Sequence, residues 1–396
     1  MMLASLRQSA GLLRALGRDL PADVRPKRYV LPTYLEDFTV DVYEPRTGEP
    51  AWALPTVVVN HGLSPTAADD PRFLKLCTAF SEQGFRVVAP HLPTLRRLEI
   101  TPHTLEEMVA VYNGLAACDV VPMTTPVGVF GVSFSAGLGM IAANDPRVEL
   151  PISALFCLGG YADLAATLEG LLRPVDPACP RDDYGRLVFL HNWLHAIVDR
   201  PSPALRAWLW QAILDNLSGD GRASAAMAAS LPAAERELAG RLADPGEPEI
   251  AEACRALVQA DTRVIRRLSP LTEDHRLKLP TWLMHGRCDP VIPAAESRKI
   301  ERRLRLSATP VRALYTDAVG HSGTEDTGRL GMMWEQLRVV AFTAEWIKHV
   351  RLAAGRPRRS GRPTAVPGGS ARPTGRVAAR PAPWQRRAHG PSPVGL

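Results

Sequence analysis

The sequence predicts a mostly parallel, doubly wound α/β sheet interrupted by a long helical insertion. Three observations lead there. Short Val-rich runs at Thr56–Asn60, 86–89, 127–131 and Ile152–Leu158 alternate with helix-like stretches. Such alternation is the pattern of a sheet covered on both faces. Residues 163–270 then carry helix-like segments and no convincing strand, a block too long for a connection. Finally, the alternation resumes at 281–285 and continues to residue 350.

Each element has a local reason. Residues 1–20 place Leu3, Leu6, Leu13, Leu16 and Leu20 among Arg7, Arg14 and Arg18, the spacing of an amphipathic helix. It is expected to pack on the body, with weak contact to a membrane surface through residues 1–20 as the alternative. No small-residue cleavage site follows a long apolar core, and no apolar run reaches transmembrane length. Residues 29–31 and 38–43 alternate apolar and polar and predict an antiparallel edge pair. Asp70-Pro71 predicts an N-cap with Pro at the first helical position, and Gly84 a C-cap. Thr104-Leu105-Glu106-Glu107 predicts a capping box. Within the insertion, helices are expected over 182–198, 204–217, 233–242 and 249–260. Beyond it, a strand at 281–285 is followed by a helix over Ala294–Leu306, a strand at Val311–Thr316 and a long helix over 334–350.

The expected organisation is an N-terminal helix (1–27), a first part of the core (28–162), a helical cap (163–270), a second part of the core (271–352) and a disordered Arg/Pro-rich tail (353–396). The net charge of +6 is misleading. Residues 355–396 hold nine Arg, eight Pro and no acid. Subtracting those nine Arg from 47 basic residues leaves 38 against 41 acidic, a net charge of −3. The folded part therefore offers no basic face for nucleic acid. Six cysteines occur without a C-x-x-C pair. They are expected to be reduced thiols in a cytoplasmic protein, Cys77 and Cys157 as core fillers and Cys288 as packing.

In such a sheet, ligands bind at the carboxyl ends of the strands. Four features fall there. VGVFGVSFSAG (127–137) reads as strand, sharp turn and helix, with Ser133 at the apex. Its pattern is G-x-S-x-S, because Ser135 stands where a second Gly is usual. His61-Gly62-Leu63 follows the strand at Thr56–Asn60. Asp289 lies in HGRCDPVIP and His321 in DAVGHSG, each just past a strand. A serine hydroxyl needs a base, and the base needs a carboxylate to orient it. Ser133, His321 and Asp289 have those three chemistries. The N–H groups of Phe134 and Leu63 are candidate donors to an oxyanion. Asp163, in GGYADL, is the rival acid.

On these residues the chain resembles the α/β-hydrolases: His61-Gly62, Gly131 to Ser135, His285 to Pro293, and Gly320-His321. The likeness spans about residues 28–350. It implies a Ser-Asp-His triad, acyl transfer to water from a small-molecule acyl substrate, and no cofactor. The expected activity is hydrolysis of a carboxylic ester, thioester or lactone through acyl-Ser133. The alternatives are an acyltransferase, a carbon–carbon bond hydrolase, or a catalytically silent ligand-binding relative. Oligomeric state is not legible.

Other residues have simpler readings. His61 is expected to hold the oxyanion turn. His191 and His195 stand four apart on a helix, but Asn192 replaces the Glu of H-E-x-x-H, so no metal is expected. Asp69-Asp70 is expected to cap a helix rather than bind a cation. Trp193, Trp208 and Trp210 line a pocket under the cap or form its core.

Overall fold

The computed structural model describes residues 2–20, 25–46, 54–118, 125–172, 182–318, 329–354 and 380–381. The chain runs α1 (Met2–Leu16), β1 (Lys27–Pro32), β2 (Asp37–Tyr43), β3 (Thr56–Asn60), α2 (Pro71–Glu82), β4 (Arg86–Pro90), α3 (Pro93–Arg96), α4 (Pro102–Ala117), β5 (Val127–Val132), α5 (Phe134–Ala143) and β6 (Ile152–Leu158). Seven helices follow: α6 (Leu164–Gly170), α7 (Tyr184–Ile197), α8 (Pro203–Ser218), α9 (Arg222–Ser230), α10 (Ala233–Ala243), α11 (Pro248–Ala260) and α12 (Thr262–Arg267). The chain then continues through β7 (Thr281–Gly286), α13 (Ala294–Leu306), β8 (Val311–Thr316), α14 (Arg329–Ala354) and β9 (Arg380–Pro381).

The nine strands among the described residues form one sheet, in the order β8-β7-β6-β5-β3-β4-β2-β1-β9. The six from β8 to β4 are parallel, and β2, β1 and β9 continue the sheet antiparallel. This is the mostly parallel, doubly wound sheet expected from the sequence. Strand order reverses between β3 and β5, because β3 leads outward to β4 and the chain then returns to β5. That switch point opens a crevice at the strands' carboxyl ends, where His61 and Ser133 lie.

Two apolar layers cover the sheet. On one face Phe80, Phe130, Phe156 and Trp346 pack with α1, α2 and α14. Phe130 and Phe156 stack at 4.6 Å, and Trp346 stands edge-on to both. Gly128 makes room for that indole: a Cβ there would lie 2.9 Å from Trp346. On the other face α4 and α5 share one continuous core with the inserted helices, from Met108 and Leu138 to Leu187 and Trp208. At the antiparallel edge, Arg28 forks onto Asp41 at 2.5 and 2.7 Å, and His91 meets the same carboxylate at 2.8 Å. Burial opposes ionisation of Asp41, but these two partners hold its pKa below the usual value.

Several expectations are corrected. The Thr104 capping box does not form: Thr101 is the N-cap, Pro102 opens α4, and Glu107 turns inward to Thr94. The proline supplies the helical φ three residues earlier. In α1 the fully buried residues are Ser5, Ser9 and Leu12, and Leu3 is exposed. Small side chains there permit close approach: a Cβ on Gly11 would collide with Gln83. Helix α9 was not expected because its Ala/Ser run has no apolar period and buries nothing. The expected tail begins too early, since residues 353–354 still belong to α14; two further tail residues form β9 beside β1, and the rest of the tail lies outside the described residues. Cys288 is disulfide-bonded, while Cys77, Cys118, Cys157 and Cys254 are buried thiols. The expectation of six thiols therefore fails, because chain spacing does not reveal which cysteines the fold brings together. Cys179 lies outside the described residues.

Candidate active site

Strand β5 ends in a turn that holds Ser133 at φ 55°, ψ −127°. A side chain at positive φ costs on the order of 1–3 kcal/mol and persists only where its surroundings enforce it. They do so here. The Ser133 N–H donates to Leu158 O at 2.7 Å, joining the turn to the end of β6. A Cβ on Gly131 would lie 2.6 Å from Ala136 Cα, so only glycine fits. Ser135 is fully buried. Its Oγ lies 3.0 Å from Asn60 O and 2.9 Å from Val132 O, and accepts from the Val132 N–H at 3.1 Å. The serine that departs from the usual pattern thus ties the turn to the end of β3. Phe134 opens α5, where helical N–H groups have no acceptor within the helix; its ring stacks on Tyr161 at 5.0 Å.

The loop after β3 passes directly against this turn. A Cβ on Gly62 would lie 3.3 Å from Val132 O and 3.5 Å from Ser133 Cβ. His61 holds the loop as expected. Its Nε2 accepts from the Leu92 N–H at 3.2 Å, which leaves Nδ1–H to donate to Gly62 O at 2.9 Å. The C=O of residue 62 and the N–H of residue 63 belong to one trans peptide and point in opposite directions. Holding the Gly62 carbonyl therefore sets the direction of the Leu63 N–H. Burial lowers the His61 pKa to about 4, so the ring is neutral at pH 7 and keeps this tautomer.

Asp289 follows β7, two strands from β5 in the sheet. At usual strand spacing that is about 10 Å along the rim. Its Oδ1 accepts from the N–H groups of Val291 and Ile292, both at 2.9 Å. Its side chain is 4% exposed, with Oδ2 3.5 Å from His285 Nε2. His285 is fully buried between Ser297 Oγ at 2.7 Å and Ile292 O at 2.8 Å, and stiffens this loop. The rival, Asp163, N-caps α6 by accepting from the Ala166 N–H at 3.3 Å. Glu296 holds the N–H groups of Ala162 and Asp163 from below. His321 lies outside the described residues.

The remaining candidates are structural. Asp70 accepts from the Arg72 N–H and caps α2 as expected. Trp193 and Trp208 are buried in the core of the insertion, Trp193 stacked on Phe189. His191 packs on the Trp210 ring. Among the described residues, the only group of three His, Cys or acidic side chains close enough to share a metal is Glu36, His103 and Glu107. Neither His191 nor His195 belongs to it. Among the described residues no helix is long and apolar enough to cross a membrane. Sequence reasoning missed Tyr184, whose hydroxyl donates to Leu63 O at 2.7 Å. Nothing in its surroundings in the chain marks it.

No protein-family profile matches the chain, and no curated protein does. Among solved structures the chain is similar to an esterase from the archaeon Pyrobaculum calidifontis, at 15% identity and TM-score 0.45, over 87% of this chain and 90% of that one. It is similar at 16% identity and TM-score 0.44 to the 2-hydroxy-6-oxo-6-phenylhexa-2,4-dienoate hydrolase of a Rhodococcus species, over 83% and 99%. A third likeness is to the acylaminoacyl peptidase of Pyrococcus horikoshii, at 14% identity and TM-score 0.45. It covers 82% of this chain, which spans 41% of the peptidase. Likenesses this distant carry nothing about chemistry. The fold assignment rests on the sheet order and the turn at Ser133.

Proposed function

We propose that the protein is a serine hydrolase that cleaves a carboxylic ester, thioester or lactone through an acyl-Ser133 intermediate. One observation carries the reading: a non-glycine residue, Ser133, is forced to positive φ at the apex of a strand-to-helix turn, with a second loop against it. Strain of this kind clusters at active sites, and of the five non-glycine residues at positive φ among the described residues only Ser133 directly follows a strand of the sheet. His321 takes the Ser133 proton as Oγ attacks the acyl carbon, and Asp289 orients the imidazole. Asp289 is favoured over Asp163 because two N–H donors aim its carboxylate, whereas Asp163 is committed to a helix end.

Negative charge then develops on the former carbonyl oxygen. The N–H groups of Leu63 and Phe134 receive it, pre-aligned by His61 and by the start of α5. The intermediate collapses, the leaving group takes the proton from His321, and water repeats the sequence to free the acid. The helices between β6 and β7 form a cap that selects the acyl group.

A fluorophosphonate probe should label wild type on Ser133, located by peptide mass. On p-nitrophenyl esters of rising chain length, Ser133→Ala should lose at least about 10³-fold in kcat. A well-folded wild type that neither labels nor turns over any ester excludes the proposal.

A further inference from the structure

The first turn of α7 touches both loops assigned to catalysis. The Tyr184 hydroxyl donates to the Leu63 carbonyl at 2.7 Å. Two residues earlier, the Asp182 N–H reaches Pro290 O at 3.3 Å, beside Asp289. Asp182 Oδ1 accepts from the Tyr184 N–H at 2.9 Å, which fixes the turn itself. Gly185 packs close: a Cβ there would meet Leu171 at 2.7 Å and Val291 at 3.1 Å. Tyr184 is buried, and burial raises its pKa, so the hydroxyl keeps its proton across the working range.

We infer that Tyr184 is a positioning residue for the oxyanion donor, supplied from the inserted helices rather than the sheet. The inference rests on the hydrolase reading above. Leu63 lies between two peptide units. His61 holds the carbonyl of the preceding unit, and Tyr184 holds the carbonyl of the following one. With both neighbouring planes fixed, the Leu63 N–H has one direction. The following unit has one other anchor, the Ser64 N–H on Leu95 O at 3.4 Å. Without Tyr184 only that long bond holds the far side of Leu63, so the whole loop rests on the single His61–Gly62 contact and the Leu63 N–H wanders from the developing charge. Such a donor acts mainly in the transition state. Loss of alignment therefore lowers kcat and leaves ground-state binding alone.

The test compares wild type with Tyr184→Phe and, as a second apolar replacement, Tyr184→Met. Fluorophosphonate titration counts active molecules, and its rate reads Ser133 reactivity. A p-nitrophenyl ester gives kcat and KM per labelled molecule. Both variants should lose about tenfold in labelling rate and in kcat, with KM within about twofold. A partly unfolded preparation lowers the labelled fraction, not the rate. Wild-type rates in Tyr184→Phe overturn the inference while leaving the hydrolase reading intact, as does a loss carried by KM with kcat unchanged. A folded wild type that never labels overturns the hydrolase reading, and this inference with it.

Discussion

The turn at Ser133 and the helix α9 are opposite ways to use sequence. Around Ser133 every neighbour is specified: a glycine that cannot be alanine, a buried hydroxyl with three backbone contacts, and an N–H joined to the next strand. Helix α9 buries none of its nine residues and is tied to α8 by the Ser224 N–H, which donates to Asp215 Oδ2 at 2.6 Å. The chemistry is therefore proposed where the sheet removes freedom, and selectivity where the insertion retains it.

The comparison can be broken most sharply by acid. The unfolded chain protonates His61 near pH 6.5, whereas the folded chain resists until about 4. Between those values the unfolded state binds more protons at this site, so the His61 contribution to stability falls as pH drops from 6.5 to 4 and then levels off, while depressed carboxylates such as Asp41 go on losing stability below that. The full loss is about 3 kcal/mol at 1.36 kcal/mol per unit. Urea midpoints across this window should show that slope, and His61→Gln should flatten it. A wild-type slope unchanged by His61→Gln removes the buried histidine from the account.

Gly131→Ala should cost about 1–3 kcal/mol, because the new methyl meets backbone that cannot swing aside. Ser133→Gly should raise stability by about 1 kcal/mol while abolishing turnover, since glycine adopts this φ without strain. A destabilised Ser133→Gly would mean the turn stores no strain. At the small end, Ala226→Lys on the exposed face of α9 should shift stability by under about 0.5 kcal/mol. A larger effect would show that α9 is more constrained than its burial indicates.

Most of the sheet was legible in the sequence. β3, β6, β8 and α13 fall on their expected residues, because each is a dense apolar run or a clean periodic helix bounded by Gly, Pro or a polar stop. The Ser133 turn was legible because its geometry demands small neighbours. In the sequence Ser135 is only a departure from the usual glycine, because its role depends on Asn60 O, which lies 75 residues away. The packed face of α1 is only partly legible, because Ser5 and Ser9 share it with Leu12, Leu13 and Leu16, and serines do not announce a buried face. Tyr184 escaped for the same kind of reason: an aromatic in an apolar helix reads as core until its hydroxyl is seen to have a partner 121 residues away.

Trp346 offers a practical handle. Its indole is fully enclosed against Phe130, Phe156 and Phe80, whereas Trp334, on the same helix, is 65% exposed. One ring should emit blue and resist acrylamide, and the other should emit red and quench readily. Helix α14 thus carries both an optical gauge of the sealed sheet face and a solvent reference, each read in a variant that keeps only that tryptophan of the chain's eight.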